Sequence, residues 1–297
     1  MKRLSAVFAE RARKVAEQEK TAAEHLLAGL DAGTIVIPWA DGHDLARPCA
    51  IGAGLRCKVN ANLGTSPDGC DLELEIAKLQ TALAAQADAV MDLSTGGDLH
   101  AIRCRLREIC PLPLGTVPIY EAARRAQDRS GSLCNMTAED MFAALRCHVA
   151  DGVDFVTVHC GITRCALEYL RTAPRVCGVV SRGGSLLARW MQRTGQENPF
   201  YERFDEVMDI CKERNVCLSL GDALRPGALA DAGDHAQIEE LYTLGEMARR
   251  CRAKGIQAMI EGPGHVPLDQ IPAQMKMQKI ACGHAPFYVL GPSNSAK

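Results

Sequence analysis

Apolar positions in this chain follow two rhythms. Over residues 4–29, Leu4, Val7, Phe8, Ala12, Val15, Ala22, His25 and Leu26 form a loose helical stripe among Lys, Arg and Glu. The spacing predicts one amphipathic helix there. Residues 33–54 follow as an irregular lead-in segment containing Ile35-Val36-Ile37-Pro38. From residue 55, short apolar runs bounded by turn residues alternate with longer helical stripes. Strands are expected at 56–61, 89–93, 113–119, 155–159, 178–181, 217–220, 257–260 and 287–290. Helices are expected at 71–86, 98–109, 138–151, 164–171, 185–193, 201–214, 238–254 and 271–281. Thr137 and Asp140 have capping-box spacing, and Gly152, Asn215 and Gly255 stand where helices should stop.

Apolar strands separated by helices indicate a parallel sheet covered by helices. Eight such units are the count of a closed (β/α)8 TIM-type barrel. The expected organisation is therefore an N-terminal helix and lead-in over 1–54, then one barrel over 55–297. An open doubly wound sheet would bring a glycine fingerprint after its first strand. The chain has Asn60-Ala61-Asn62-Leu63-Gly64 instead.

Composition narrows the function classes. A net charge of -2 gives no argument for nucleic acid or membrane binding, and the longest apolar runs are strand-length. Fourteen cysteines are scattered singly, with no C-x-x-C. That pattern suggests a reducing cytoplasm in which most thiols pack as small hydrophobes. Cys160, beside His159, is the candidate for a reactive one.

In a barrel, chemistry sits at the carboxyl ends of the strands. Those ends deliver Asn60 and Asn62; Met91, Asp92 and Ser94; Tyr120; His159 and Cys160; Ser181, Arg182, Gly183 and Gly184; Asp222 and Arg225; Glu261 and His265; and Tyr288. Each alone could be an ordinary turn residue, and their convergence on one rim is the argument. Ser181-Arg182-Gly183-Gly184-Ser185 opens a helix with free N–H groups, a hydroxyl and a guanidinium, which suits a phosphate. Asp222 and Arg225 share a loop and could hold ribose hydroxyls or a ring amine, or pair with each other. Glu261 and His265 emerge on a turn, Glu261-Gly262-Pro263-Gly264-His265-Val266-Pro267, too rich in Gly and Pro to extend the strand before it. His159 and His265 could be acid/base groups or metal ligands. No H-x-x-x-H supports a local metal site.

Longer segments carry a resemblance. Residues 59–64 (VNANLG), 90–96 (VMDLSTG), 115–120 (GTVPIY), 180–184 (VSRGG), 219–227 (SLGDALRPG), 261–265 (EGPGH) and 285–292 (APFYVLGP) occur in this order. Together they closely resemble the phosphomethylpyrimidine synthase (ThiC) family of thiamine biosynthesis. The resemblance implies a (β/α)8 barrel and a cytoplasmic homodimer. It implies a radical lyase that converts 5-aminoimidazole ribotide to 4-amino-5-hydroxymethyl-2-methylpyrimidine phosphate, using S-adenosylmethionine and a 4Fe–4S cluster. It also implies that the ribotide is held by Asn62, Met91, Tyr120, His159, Ser181, Arg182, Gly183, Asp222, Ala223, Leu224, Arg225, Glu261 and Tyr288, and that His265 binds a zinc-type divalent metal. The family pattern continues with a last barrel helix, a second metal histidine and a C-x-x-C-x-x-x-x-C cluster motif, whereas this sequence stops at Lys297. Cys160 and Cys165 have the longer spacing but lack the leading cysteine. The expectation is a barrel without its last helix and cluster domain, inactive by itself. Two other functions are compatible with the same motifs. One is the 5-hydroxybenzimidazole synthase of cobamide biosynthesis, and the other is a non-catalytic ribotide-binding form.

Overall fold

The computed structural model describes residues 4–290. Residues 1–3 and 291–297, including Gly291-Pro292 and the end of the expected barrel, lie outside the described residues.

The N-terminal stripe forms three helices, not one: α1 Leu4–Val7, α2 Ala9–Glu19 and α3 Ala23–Ala32. The main break is at Lys20, which adopts a left-handed conformation (φ 53°) and sends its N–H back to Ala16 O. The apolar face still closes: Phe8, Leu26, Leu30, Ile35 and Ile37 are fully buried together. β1 Ile35–Val36 pairs antiparallel with β2 Ile51–Gly52.

The chain then alternates. β3 Asn60–Leu63 leads to α4 Leu72–Ala84, β4 Ala89–Asp92 to α5 Leu99–Ile109, and β5 Leu114–Thr116 to α6 Pro118–Ser130 and α7 Ala138–Ala150. β6 Phe155–Val158 is followed by α8 Arg164–Thr172, α9 Arg182–Thr194, α10 Pro199–Glu202 and α11 Phe204–Lys212. β7 Cys217–Leu220 leads to α12 His235–Lys254, β8 Ala258–Gly262 to α13 Ile271–Ala281, and the chain reaches β9 Phe287–Val289. β3 to β9 form one seven-stranded sheet in chain order, parallel throughout.

The sheet is strongly curled. Flat, its outer strands would stand about 29 Å apart at the usual inter-strand spacing. Instead, Asn60 of β3 donates its side-chain amide to the Tyr288 hydroxyl of β9 at 3.0 Å. The architecture is an α/β curled parallel sheet wrapped by helices, a partial TIM-type barrel.

Several expected elements differ. Among the described residues seven sheet strands stand where eight were expected, because 178–181 is not a strand: β6 and β7 pair directly, Phe155 with Cys217 through Val158 with Leu220. Gly178 is left-handed there (φ 59°), and Val180 is 41% exposed. Helix α6 stands where a strand to residue 119 was expected, because Pro118 occupies its first turn. The expected helix over 201–214 is split at Arg203, and α9 and α12 begin three residues early at the capping residues Ser181 and Asp234. The Thr137–Asp140 capping box is present, and Gly255 caps α12 in a left-handed conformation.

The N-terminal layer seals the end where strands begin. The Gln257 side chain, just before β8, accepts from Ile37 N (2.5 Å) and donates to Ile37 O (3.0 Å). Asp154, just before β6, accepts from Ala40 N, Leu114 N and the His43 ring. This layer does not cover β9, where Val289 is 42% exposed. The opposite, carboxyl end of the sheet remains free for a site.

Candidate functional site

Three strands of the sheet's second half build the floor. β6 and β7 read Phe-Val-Thr-Val and Cys-Leu-Ser-Leu, each with one hydroxyl in a buried run. Thr157 and Ser219 are register partners. Both donate to Glu261 Oε1 of β8, at 2.9 and 3.1 Å. Burial raises the Glu261 carboxyl above its ordinary range, against the pull of these hydrogen bonds and Arg225.

His159 leaves β6 and is 3% exposed. Its ring is clamped by two glycines. A Cβ on Gly183 would fall 2.2 Å from its Cε1, and one on Gly221 would fall 3.0 Å from its Cδ2. Nδ1 is buried with no partner among the described residues. Burial, helped by Arg225, pushes the imidazole down to about 3, so it is neutral at pH 7.

The turn after β7 carries the main charges. Asp222 Oδ1 accepts from Arg225 Nη1 at 2.9 Å, while its Oδ2 is buried without a partner. Burial raises Asp222, opposed by Arg225 and reinforced by Glu261. Two carboxyls thus compete for one guanidinium. Glu240 of α12 fixes the turn from behind, accepting Ala223 N at 2.8 Å and Leu224 N at 2.6 Å. Arg175 grips the Leu224 carbonyl at 2.7 Å and the Asp234 carboxylate.

An open cavity gathers these groups. Asn62, Met91, Tyr120, His159, Asp222, Arg225, Glu261 and Tyr288, all among the expected rim residues, line it. Tyr120 comes from the first turn of α6, not a strand. The remaining expected residues sit around the lining. Ser181 caps α9 by accepting Gly184 N, the Arg182 guanidinium lies 5.1 Å from the Tyr120 ring centroid, and Gly183 supports His159. Ala223 and Leu224 direct their N–H groups at Glu240. Thr157, Ser219, Glu240 and Arg175 were not anticipated. A single hydroxyl in an apolar strand was the available signal for the first two. Glu240 and Arg175 act from distant helix and loop positions with no local signature.

His265 is half-buried on the turn after β8, with Nδ1 buried and unpartnered. It offers one donor, and it belongs to no described group of three His, Cys, Asp or Glu ligands. A metal there would draw its other ligands from outside the described residues. No three cysteine sulfurs lie within 4.8 Å of one another among the described residues either. Cys160 and several other thiols are fully buried, and burial raises them well above their ordinary range, which disfavours the thiolate. These buried thiols do not offer the three deprotonated sulfurs that an iron–sulfur cluster takes.

Fold and site define an α/β protein of partial-barrel type with a charged, open cavity at the carboxyl ends of its strands. A family profile described as the Radical SAM ThiC family matches residues 3–295, and the chain belongs to that family. The phosphomethylpyrimidine synthase of Moorella thermoacetica is 53% identical over 94% of this chain and 65% of its own length. Those of Methanopyrus kandleri and of a Thermus thermophilus strain are each 52% identical, over 94% and 93% of this chain and 66% and 64% of theirs. The chain therefore spans just under two thirds of these relatives. Among solved structures, a dihydropteroate synthase from Coxiella burnetii aligns with 84% of this chain and 78% of its own at 11% identity and a TM-score of 0.44.

Proposed function

We propose that this chain forms the substrate barrel of a cytoplasmic, homodimeric phosphomethylpyrimidine synthase. It would hold 5-aminoimidazole ribotide during conversion to 4-amino-5-hydroxymethyl-2-methylpyrimidine phosphate for thiamine. The relatives' shared name favours the pyrimidine product over a benzimidazole. One observation carries the ligand reading: buried, unpartnered acceptor or donor atoms on His159 and Asp222 stand around a cavity that also holds Arg225 and Glu261. Such atoms are costly to leave unpaired, and a polar ligand would satisfy them.

In this reading Arg225, Arg182 and the start of α9 meet the phosphate. Asp222 and Glu261 accept from ribose hydroxyls or the ring amine, and neutral His159 offers a hydrogen bond without adding charge. The family's iron–sulfur cluster with S-adenosylmethionine would supply the one-electron chemistry. Ribotide titration by calorimetry tests the site. Arg225→Ala should weaken binding by about 1.5–3 kcal/mol, the range for a charged hydrogen bond. Unchanged affinity would remove Arg225 from it.

A further inference from the structure

A second cluster of ligand-type side chains lies apart from the cavity. His100 and Cys104 stand four residues apart on α5, so both face the same way. Asp151, at the end of α7, meets them across the helix pair. His100 Nδ1 is 3.1 Å from Asp151 Oδ2 and 3.8 Å from Cys104 Sγ. None of the three lines the cavity. They form the one His/Cys/Asp/Glu trio among the described residues whose ligand atoms all lie within 4.8 Å of one another.

We propose that His100, Cys104 and Asp151 bind a zinc-type divalent cation with one coordination position left open. Tetrahedral Zn with ordinary Zn–S, Zn–N and Zn–O lengths sets S···N at about 3.6 Å and N···O at about 3.4 Å. The observed S···N separation is close to that value, and because the 3.1 Å N···O contact runs to Oδ2, a turn of the Asp151 carboxylate would bring Oδ1 to the ion. Imidazole, thiolate and carboxylate form a borderline-soft donor set that suits zinc better than magnesium or calcium.

Charge and access support the assignment. A thiolate and a carboxylate neutralise the dication. Arg103 donates to Asp151 Oδ2 from Nε and Nη2, and no described hydrogen bond engages Oδ1. Oδ1 is the atom left for a metal, with Arg103 orienting the carboxylate from behind. Glu121 also accepts from Arg103, at 2.8 Å, so the guanidinium is not an uncompensated charge beside the ion. His100 is exposed and Cys104 half-exposed, which leaves a path for the ion and for a water on the open position.

Cobalt(II) is the probe, because its thiolate complexes absorb by charge transfer. Metal-free protein carrying His265→Ala, which removes the other histidine donor considered above, is titrated with cobalt(II). One equivalent should bind with a thiolate charge-transfer band, and zinc should displace it. Cys104→Ser in that background should abolish the band, and His100→Ala should weaken binding at least about tenfold, in line with losing one ligand of a three-ligand site. Circular dichroism confirms that both variants fold. A band that survives in Cys104→Ser, or affinity unchanged in His100→Ala, would overturn the assignment.

Discussion

His159 shows how one side chain links the interior to pH. Its imidazole titrates near 6.5 when exposed and near 3 in the fold, because burial disfavours the cation. A depressed histidine contributes stability that is fully present above 6.5 and is lost as pH falls toward 3. The loss approaches about 1.4 kcal/mol per pH unit within that window. Urea denaturation should therefore show a shallower acid slope for His159→Gln than for the parent between those limits. Parallel slopes would mean that the ring is solvated after all. The cavity-lining residues were the most legible part of the sequence, because Asp222 and Arg225 follow and Glu261 closes an apolar run at a Gly- or Pro-rich turn. Ala223 and Leu224 were less legible: their place in the matched segment suggested ligand contact, but their N–H groups are occupied by Glu240.

At the scale of elements, the start of α9 and the turn after β7 are fitted against each other. A Cβ on Gly184 would fall 2.3 Å from the Ala223 carbonyl oxygen, and one on Gly183 would strike the His159 ring. Gly→Ala within a helix usually gains about 0.5–1 kcal/mol. Here the sign should reverse: Gly183→Ala should cost about 1–3 kcal/mol by overpacking and should also weaken ribotide binding. A stabilised variant with parental affinity would contradict the close approach. Glu240→Ala should leave two backbone N–H groups unpaired and cost about 2–4 kcal/mol in chemical denaturation. Element boundaries were less readable than element types. Val179-Val180 imitates a buried strand, yet apolar identity cannot tell a half-exposed linker from a sheet member. Helix α6 was not anticipated, because the expected strand ran through Pro118 to residue 119, although proline in a first turn opens helices. Nothing at Lys20 announces the left-handed turn that divides the N-terminal stripe.

At the scale of the whole molecule, the contact between Asn60 and Tyr288 joins the two ends of the sheet. Tyr288→Phe removes its acceptor and should cost about 0.5–1.5 kcal/mol. The effect should be local, with faster amide hydrogen exchange in β3 and β9 than in the fully buried β6 and β7. Uniform acceleration across all seven strands would instead show that this contact supports the entire fold. The alternation of strands and helices made the wrapped parallel sheet legible, but strand number was not, because pairing between β6 and β7 is set by contacts far apart in sequence.

The seal at the amino ends of the strands has a consequence for how the protein is made. Ile37 bonds to Gln257, 220 residues later. At roughly 5–20 residues per second a ribosome needs about 10–40 s to synthesise that interval. For that time the apolar faces carrying Phe8, Leu26 and Leu30 lack the rest of their docking surface on the nascent chain. Holdase chaperones should therefore engage the first 50 or so residues during translation and release them only after β8 has emerged.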